Sequence, residues 1–222
     1  MNRAELEALG FDFVPVVVLD GRAMIAFPEG PLRRELGIAA LDQPEKRGRR
    51  RVLGTMRSLR LLLAIVPHIS DDHWTVQLVT ERYRPLGQWV WHIFRFVEEV
   101  MQAARDQAIH REQLLRMAER RYWTEEEKYR SFKQIAEYGL GVERSLGVWM
   151  REELPQVVTV EVLESPWGRL EMVDLLDQLD RHTASHLWQI IDKLRELDPS
   201  FEHLPTDEQM SRVPRYADLA AD

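Results

Sequence analysis

The chain has 222 residues, 45% of them hydrophobic, a formal net charge of -7 and no cysteine. The missing cysteines exclude disulfides, iron–sulfur clusters, thiolate metal sites and cysteine nucleophiles, so a protein-bound metal would need histidine or carboxylate ligands. The longest apolar run, LLLAIV at residues 61–66, is far shorter than the ~18 residues of a membrane span, and the acidic net charge disfavours a nucleic-acid partner.

Residues 1–44 predict a small appendage. The strings FVPVVVLDG and RAMIAF are rich in strand formers and flank Asp20-Gly21, a dipeptide typical of hairpin turns. PEGPLRRELG then carries the proline and the terminal glycine of a short helix. Because a hairpin and one short helix bury little apolar surface alone, we expect this appendage to dock on the rest of the chain or on another subunit.

Residues 45–198 predict a four-helix bundle, so the fold class is mainly α with an N-terminal β-hairpin and short helix. Apolar residues recur there at helical spacing in four long stretches bounded by prolines, glycines or capping residues. The predicted helices cover residues 47–66, 85–104, 124–153 and 170–197. We expect a loop with a short helical piece over 68–84, an extended segment over 156–164, and a polar tail over 199–222 that lies on the surface or is partly disordered.

Three histidines fall on apolar faces of these helices. In LDQLDRHTASHLWQIIDKL, His182 and His186 are one helical turn apart on the face that should be buried. His92 lies on the apolar face of the predicted second helix. Zinc and nickel accept neutral imidazole nitrogens, and three protein ligands that leave a position open are typical of catalytic metal sites. The sequence therefore predicts a divalent metal, zinc or nickel, held by His92, His182 and His186.

A simpler explanation of the same histidines stays open at this point. A histidine on an apolar face is often a hydrogen-bonded core residue, and many HxxxH pairs face solvent. Sequence spacing cannot show that the second and fourth helices meet. His110, among charged neighbours, is expected to face water.

The strings GQWVWHIFRFVEEV and SPWGRLEMVDLLDQLDRHTASHLWQI resemble the DinB-like (DinB/YfiT) four-helix-bundle metalloprotein superfamily, over roughly residues 46–198. The resemblance implies that the three histidines are the metal ligands, and Gln189 matches a glutamine often found one turn further on. Thr183 and Ser185 depart from the pattern, because many members have a glutamate and a further histidine there. A carboxylate supporting the metal at that turn is therefore in doubt.

The resemblance also implies an activity. Members include thiol-dependent isomerases, S-transferases and sulfoxide synthases, in which a metal lowers the pKa of a bound thiol or water. We predict a divalent-metal-dependent transferase or hydrolase that acts on a small-molecule substrate with a low-molecular-weight thiol. The alternative is a non-catalytic, stress-related protein that binds a metal or a small molecule.

The N-terminal segment FDFVPVVVLDGRAMIAFPEGPLRRELG resembles the C-terminal half of a glutaredoxin or thioredoxin-type domain. In such domains a Val-Pro before a hairpin places a cis-proline beside a thiol-binding groove, and Pro15 matches that position. The CxxC motif and its strand and helix are missing, so we expect no intact redox domain. The appendage either lines the metal pocket and helps to hold a thiol, or is a packing or dimerisation element.

The basic run KRGRRR at residues 46–51 opens the predicted first helix, where cations oppose the helix dipole. An anionic ligand or a nucleic-acid phosphate would stabilise cations placed there. We favour a solvated face on which they pair with acidic side chains. We expect a cytoplasmic homodimer, with no membrane partner and with nucleic acid disfavoured. The tryptophans are expected to fill the core, and Trp89 and Trp188 could also restrict water near the histidines.

Overall fold

The computed structural model describes residues 16–25, 29–38, 43–79, 82–110, 129–158, 163–165 and 168–215. This part of the chain is mainly helical, as predicted. Its helices are α1 (Glu29–Glu35), α2 (Pro44–Ile65), α3 (Leu86–Asp106), α4 (Phe132–Glu152), α5 (Leu154–Val157), α6 (Met172–Leu197) and α7 (Asp207–Met210). None of these helices combines the length and apolarity needed to cross a membrane.

The predicted N-terminal hairpin is confirmed. Strands β1 (Val16–Leu19) and β2 (Arg22–Ile25) pair antiparallel, with Val16 opposite Ile25 and Leu19 opposite Arg22. The turn residues Asp20 and Gly21 have φ of 48° and 77°. Two consecutive left-handed residues match the twist of the flanking strands, and aspartate followed by glycine is one of the dipeptides that favour this conformation. Pro15 lies outside the described residues.

The long helices α2, α3, α4 and α6 pack around a common core. Helix α2 contacts α4 and α6, and α3 contacts the same two helices. Each of the four presents a stripe of apolar side chains to the others. The largest fully buried side chains include Trp149, Phe94, Phe132, Leu59, Leu62 and Ile93.

Gly139 brings α4 close to α3. A β-carbon at this position would lie 2.5 Å from Cζ of Phe94, whereas one at Gly141, on the exposed side of the same helix, would meet nothing within 4 Å. Helix α4 continues through both glycines. Gly139 therefore permits close packing of α4 against α3.

The basic run at the start of α2 is divided between the protein interior and the solvent. Arg47 and Arg51 both bond Asp177 of α6, and Arg51 also reaches Asp180 at 3.2 Å. The side chain of Asp180 is 5% exposed. Lys46, Arg49 and Arg50 are exposed. The inward part of the run is thus paired with aspartates of another helix, which explains why cations are tolerated at this helix end.

The appendage docks on the start of α6. Arg34 of α1 bonds Asp174 at 2.8 Å and Glu171 at 2.9 Å. Gly30 lies so close to the Asp174 carboxylate that a β-carbon there would overlap it. Asp174 and Glu171 also form the capping box that begins α6. The docking contacts are therefore built on the same residues that start this helix.

Three connecting segments differ from the sequence expectations. Strands β3 (Gln77–Val79) and β4 (Arg82–Pro85) pair as a hairpin in a region predicted mostly as a loop. The predicted extended segment begins as α5, because Pro155 fits the first turn of a helix, where no N–H is needed. Strands β5 (Leu163–Ser165) and β6 (Gly168–Leu170) then form a third hairpin before α6.

Thr124, the predicted start of the third long helix, lies outside the described residues; α4 begins at Phe132, capped by Ser131, which accepts a hydrogen bond from the Gln134 N–H. The segment after α6 lies against this helix, because the Trp188 indole N–H donates to the Val213 carbonyl, and its Met210 and Val213 side chains are buried.

Candidate metal centre

The three predicted histidines lie on two helices: His92 in the second turn of α3, and His182 and His186 near the middle of α6. His92 is buried, with 6% of its surface exposed. Its neighbours on α3, Trp89 and Phe96, are also buried, so the periodicity that buries this face carries the imidazole inward with them. His182 and His186 are half-buried on α6.

The three rings converge. Their centroids are separated by 4.9 Å between His92 and His182, 5.7 Å between His92 and His186, and 4.1 Å between His182 and His186. One ring nitrogen of each can be chosen so that all three lie within 4.8 Å of one another. Such a set could surround a single cation. The structure therefore brings together the three residues that the sequence singled out, on helices it could not show to be in contact.

His186 is oriented by a neighbour on its own helix. Its Nδ1 atom lies 2.7 Å from Oε1 of Gln189. An amide oxygen can only accept a hydrogen bond, so this contact requires the proton on Nδ1 and leaves the lone pair on Nε2. Outer partners of this type fix the tautomer and ring orientation of metal-binding histidines.

His182 has the environment of a neutral imidazole. Burial, then the proximity of His186 and of Arg84, holds its pKa well below the usual value of 6.5. Its Nε2 atom is buried and has no hydrogen-bond partner among the described residues. A buried polar atom in this state is costly. A divalent cation would satisfy it, and a neutral ring is the form that binds metal, so the residues present fit a metal ion.

Aromatic rings enclose the three histidines. Phe96 stacks on His182 with centroids 4.0 Å apart, and Trp89 meets the His186 ring edge-on at 4.8 Å. Trp89 precedes Phe96 in α3, whereas its partner His186 follows His182 in α6, so the two helices are antiparallel. The rings restrict the rotation of both imidazoles and limit access of water to them.

Two charged residues, Arg84 beside Trp89 and Glu99 on the His92 face of α3, were missed by the sequence analysis. The guanidinium of Arg84, at the end of β4, lies over the Trp89 ring with Cζ 5.3 Å from its centroid. Glu99 is 5% exposed and pairs with Arg95 at 2.7 Å. Glu99 lies seven positions after His92, hence on the same face of α3, and that spacing could have identified it. Nothing in the sequence around Arg84 indicated its position.

The two departures from the DinB-like pattern add no carboxylate to the site. Thr183 is buried and donates a hydrogen bond to the Leu179 carbonyl of its own helix. Ser185 is buried, and its Oγ has no hydrogen-bond partner among the described residues. The described part of the appendage contacts the start of α6, two turns before His182, so it does not supply a ligand to the three-histidine cluster.

Comparisons of the chain with protein-family profiles, with curated proteins and with solved structures gave no match. The resemblance to the DinB-like superfamily stays a prediction.

Proposed function

We propose that this protein is a divalent-metal-dependent enzyme with a DinB-like four-helix bundle, and that His92, His182 and His186 hold its metal, zinc or nickel. The observation that carries the proposal is the convergence of three imidazoles from α3 and α6 within 4.8 Å. Three neutral nitrogen ligands leave further positions on a metal ion open, as in catalytic sites.

The packing of the long helices supports the bundle part of the proposal. Helices α2, α3, α4 and α6 are linked in a closed ring of contacts, from α2 to α6, α6 to α3, α3 to α4 and α4 back to α2. Cofactor sites of helical bundles are built from side chains on facing helices, which is the arrangement of the three histidines.

The reaction we propose is a transfer or hydrolysis that uses a low-molecular-weight thiol. When bound, a divalent metal lowers the pKa of a coordinated thiol or water and so makes a nucleophile available near neutral pH. The chain has no cysteine, so the sulfur would come from a small molecule. Gln189 would hold His186 in the binding tautomer, while Phe96 and Trp89 would keep bulk water from the reacting group.

Metal content tests the first half of the proposal. Protein purified without a metal-affinity tag should contain or take up one equivalent of zinc or nickel, measured by elemental analysis. His186→Ala should lose it, whereas His203→Ala, at an exposed histidine, should keep it. Full occupancy in His186→Ala, or no uptake by the wild-type protein, would overturn the proposal.

Thiol chemistry tests the second half. Glutathione, bacillithiol and mycothiol should be screened as cosubstrates with and without added nickel or zinc.

One observation favours the non-catalytic alternative: Glu99, the buried carboxylate on the His92 face of α3, is engaged by Arg95 and is not positioned as a free base. Metal binding without activity in every screen would select that alternative.

We also propose that the protein forms a cytoplasmic homodimer. Large apolar side chains are exposed on α2 and α4, namely Leu53 at 44%, Leu140 at 43% and Val148 at 41%. Analytical ultracentrifugation at several concentrations should show a dimer, and Val148→Glu should weaken it. A monomer at all concentrations would contradict this part of the proposal.

A further inference from the structure

The exposed charged residues of α2 that follow Glu45 are all basic. This helix contains seven lysines and arginines and one acid, whereas the whole chain has 30 basic and 37 acidic residues. Its exposed cations recur three, four or seven positions apart, a spacing that places them along one side of a helix. They form a basic stripe made of Lys46, Arg49, Arg50, Arg57 and Arg60.

Three cations of the basic stripe have no acidic partner. Lys46 and Arg49 form no hydrogen bond or ion pair within the part of the chain that the structure describes. Arg57 donates to the Arg212 carbonyl at 2.7 Å, and a neutral carbonyl does not offset its charge. The last member of the stripe, in contrast, pairs with Glu143 of α4. The expected pairing of the outer cations with acidic side chains is therefore not found at Lys46, Arg49 and Arg57, and these charges are open to an anionic partner.

An apolar side chain lies in the middle of the basic stripe. Leu53 is 44% exposed and lies one turn after Arg49 and one turn before Arg57. A phosphate gains nothing from a leucine, whereas a polypeptide can cover it with an apolar side chain of its own, as at the centre of protein interfaces. The stripe from Lys46 to Arg57 is about 16 Å long at the helical rise, which a short polypeptide segment can span.

The charge of the rest of the chain favours a partner of this short length. The net charge of the whole chain is -7 although α2 is positive, so the surroundings of the basic stripe carry the negative excess. A DNA duplex has one charge per about 1.7 Å, and its charge continues past both ends of the stripe onto acidic surface. An isologous dimer through α2 would set the stripe against itself. The outer face of α2 therefore fits a different, short, acidic partner.

We propose that the outer face of α2 is a docking surface for an acidic segment of another protein. Glutamates or aspartates of the partner pair with Lys46, Arg49 and Arg57, and an apolar side chain between them covers Leu53. The homodimer proposed above would then use the apolar residues of α4. Exposed ion pairs contribute little each, so the segment binds weakly and is selected mainly by charge complementarity. This inference does not depend on the metal site.

The test uses the full-length protein and a fluorescein-labelled peptide that has a central leucine between four glutamates on each side. Fluorescence anisotropy at low ionic strength measures its affinity. The double variant Lys46→Glu/Arg49→Glu should weaken binding about tenfold, because two favourable ion pairs become repulsive. It should fold, since a glutamate in the first turn of a helix is favourable. The matched control Lys133→Glu/Arg144→Glu, at exposed positions of α4, changes the net charge equally and should stay within about twofold of the wild type.

Leu53→Gln separates a polypeptide partner from other anions. It should weaken binding of the peptide about three- to tenfold, through loss of apolar contact. Equal peptide affinity in the wild type and in Lys46→Glu/Arg49→Glu, or no binding by the wild type, would overturn the proposal. Tighter binding of a short DNA duplex, or of vesicles that contain phosphatidylserine, through the same two cations would also overturn it and would assign the stripe to nucleic acid or to a membrane surface.

Discussion

Gln189 holds the ring of His186 through a contact of 2.7 Å between Oε1 and Nδ1. Both residues belong to α6, three positions apart, so the orientation of this imidazole is fixed within one helix and does not depend on how α3 packs. Gln189 is therefore a sensitive position at which to test the site.

Gln189→Ala should weaken metal binding about 10- to 100-fold, because the His186 ring would lose the partner that fixes its tautomer and orientation. Affinity is measured by competition with a chromogenic chelator. Gln189→Glu should bind nearly as well as the wild type, since a carboxylate also accepts from Nδ1. Gln102→Ala, at an exposed glutamine of α3, is the control. Unchanged affinity in Gln189→Ala would remove this residue from the site.

The depressed pKa of His182 predicts a pH-dependent stability of the metal-free protein. The folded state resists protonation of this ring, whereas the unfolded state takes up a proton near the usual value of 6.5. Stability should therefore be full above that value and should fall as the pH falls below it. Urea unfolding at about pH 7.5 and about pH 5 measures the loss.

The variant His182→Asn isolates this contribution. It should show a smaller decrease in the free energy of unfolding between the two pH values than the wild type, while His203→Asn, at an exposed histidine, should behave as the wild type. Identical pH dependence in His182→Asn and the wild type would mean that His182 is not held neutral by the fold.

Asp180→Ala should destabilise the protein by about 3 kcal/mol, because it leaves Arg51 with one fewer anionic partner at the contact between α2 and α6. The Asp180 side chain is 5% exposed and that of Arg51 is 28% exposed. Asp192→Ala, which removes a 44% exposed carboxylate of the same helix, should cost at most about 1 kcal/mol. Chemical unfolding of both variants checks the difference, and equal losses would show that burial of this pair is unimportant.

Two glycines of α4 should respond to alanine with opposite signs. Gly139→Ala places a methyl group against Phe94 and should cost about 1–3 kcal/mol by overpacking. Gly141→Ala, two residues on in open space, should stabilise α4 by up to about 1 kcal/mol. Thermal unfolding followed by circular dichroism compares them, and stabilisation by Gly139→Ala would contradict the close contact of α3 with α4.

The parts of the fold that follow local rules were predictable. Periodic apolar residues identified the long helices, and Asp20-Gly21 identified the first hairpin. The β3–β4 hairpin was missed because its strands are only three and four residues long and show no sustained alternation. Helix α5 was missed because Val157 and Val158, which favour strands, follow a proline that can equally begin a helix.

Residue positions within a single helix were predictable, whereas contacts between different elements were not. The spacing of His182 and His186 followed from the helical period, as did the inward placement of His92. The pairing of Arg47 with Asp177 joins positions 130 residues apart, and Arg84 reaches Trp89 from a strand that was not predicted. Such contacts depend on the packing of complete elements, which sequence spacing does not determine.

His92 and His186 are 94 positions apart in the sequence, and for the proposed metal site this separation has a consequence for biosynthesis. The nascent polypeptide carries one potential ligand when α3 emerges from the ribosome and cannot offer the other two until α6 has followed and docked. Ion capture would therefore be a late event that selects chains whose distant halves have already assembled. A cell poor in the relevant cation would then accumulate a less stable population of the same polypeptide, with faster turnover by proteases.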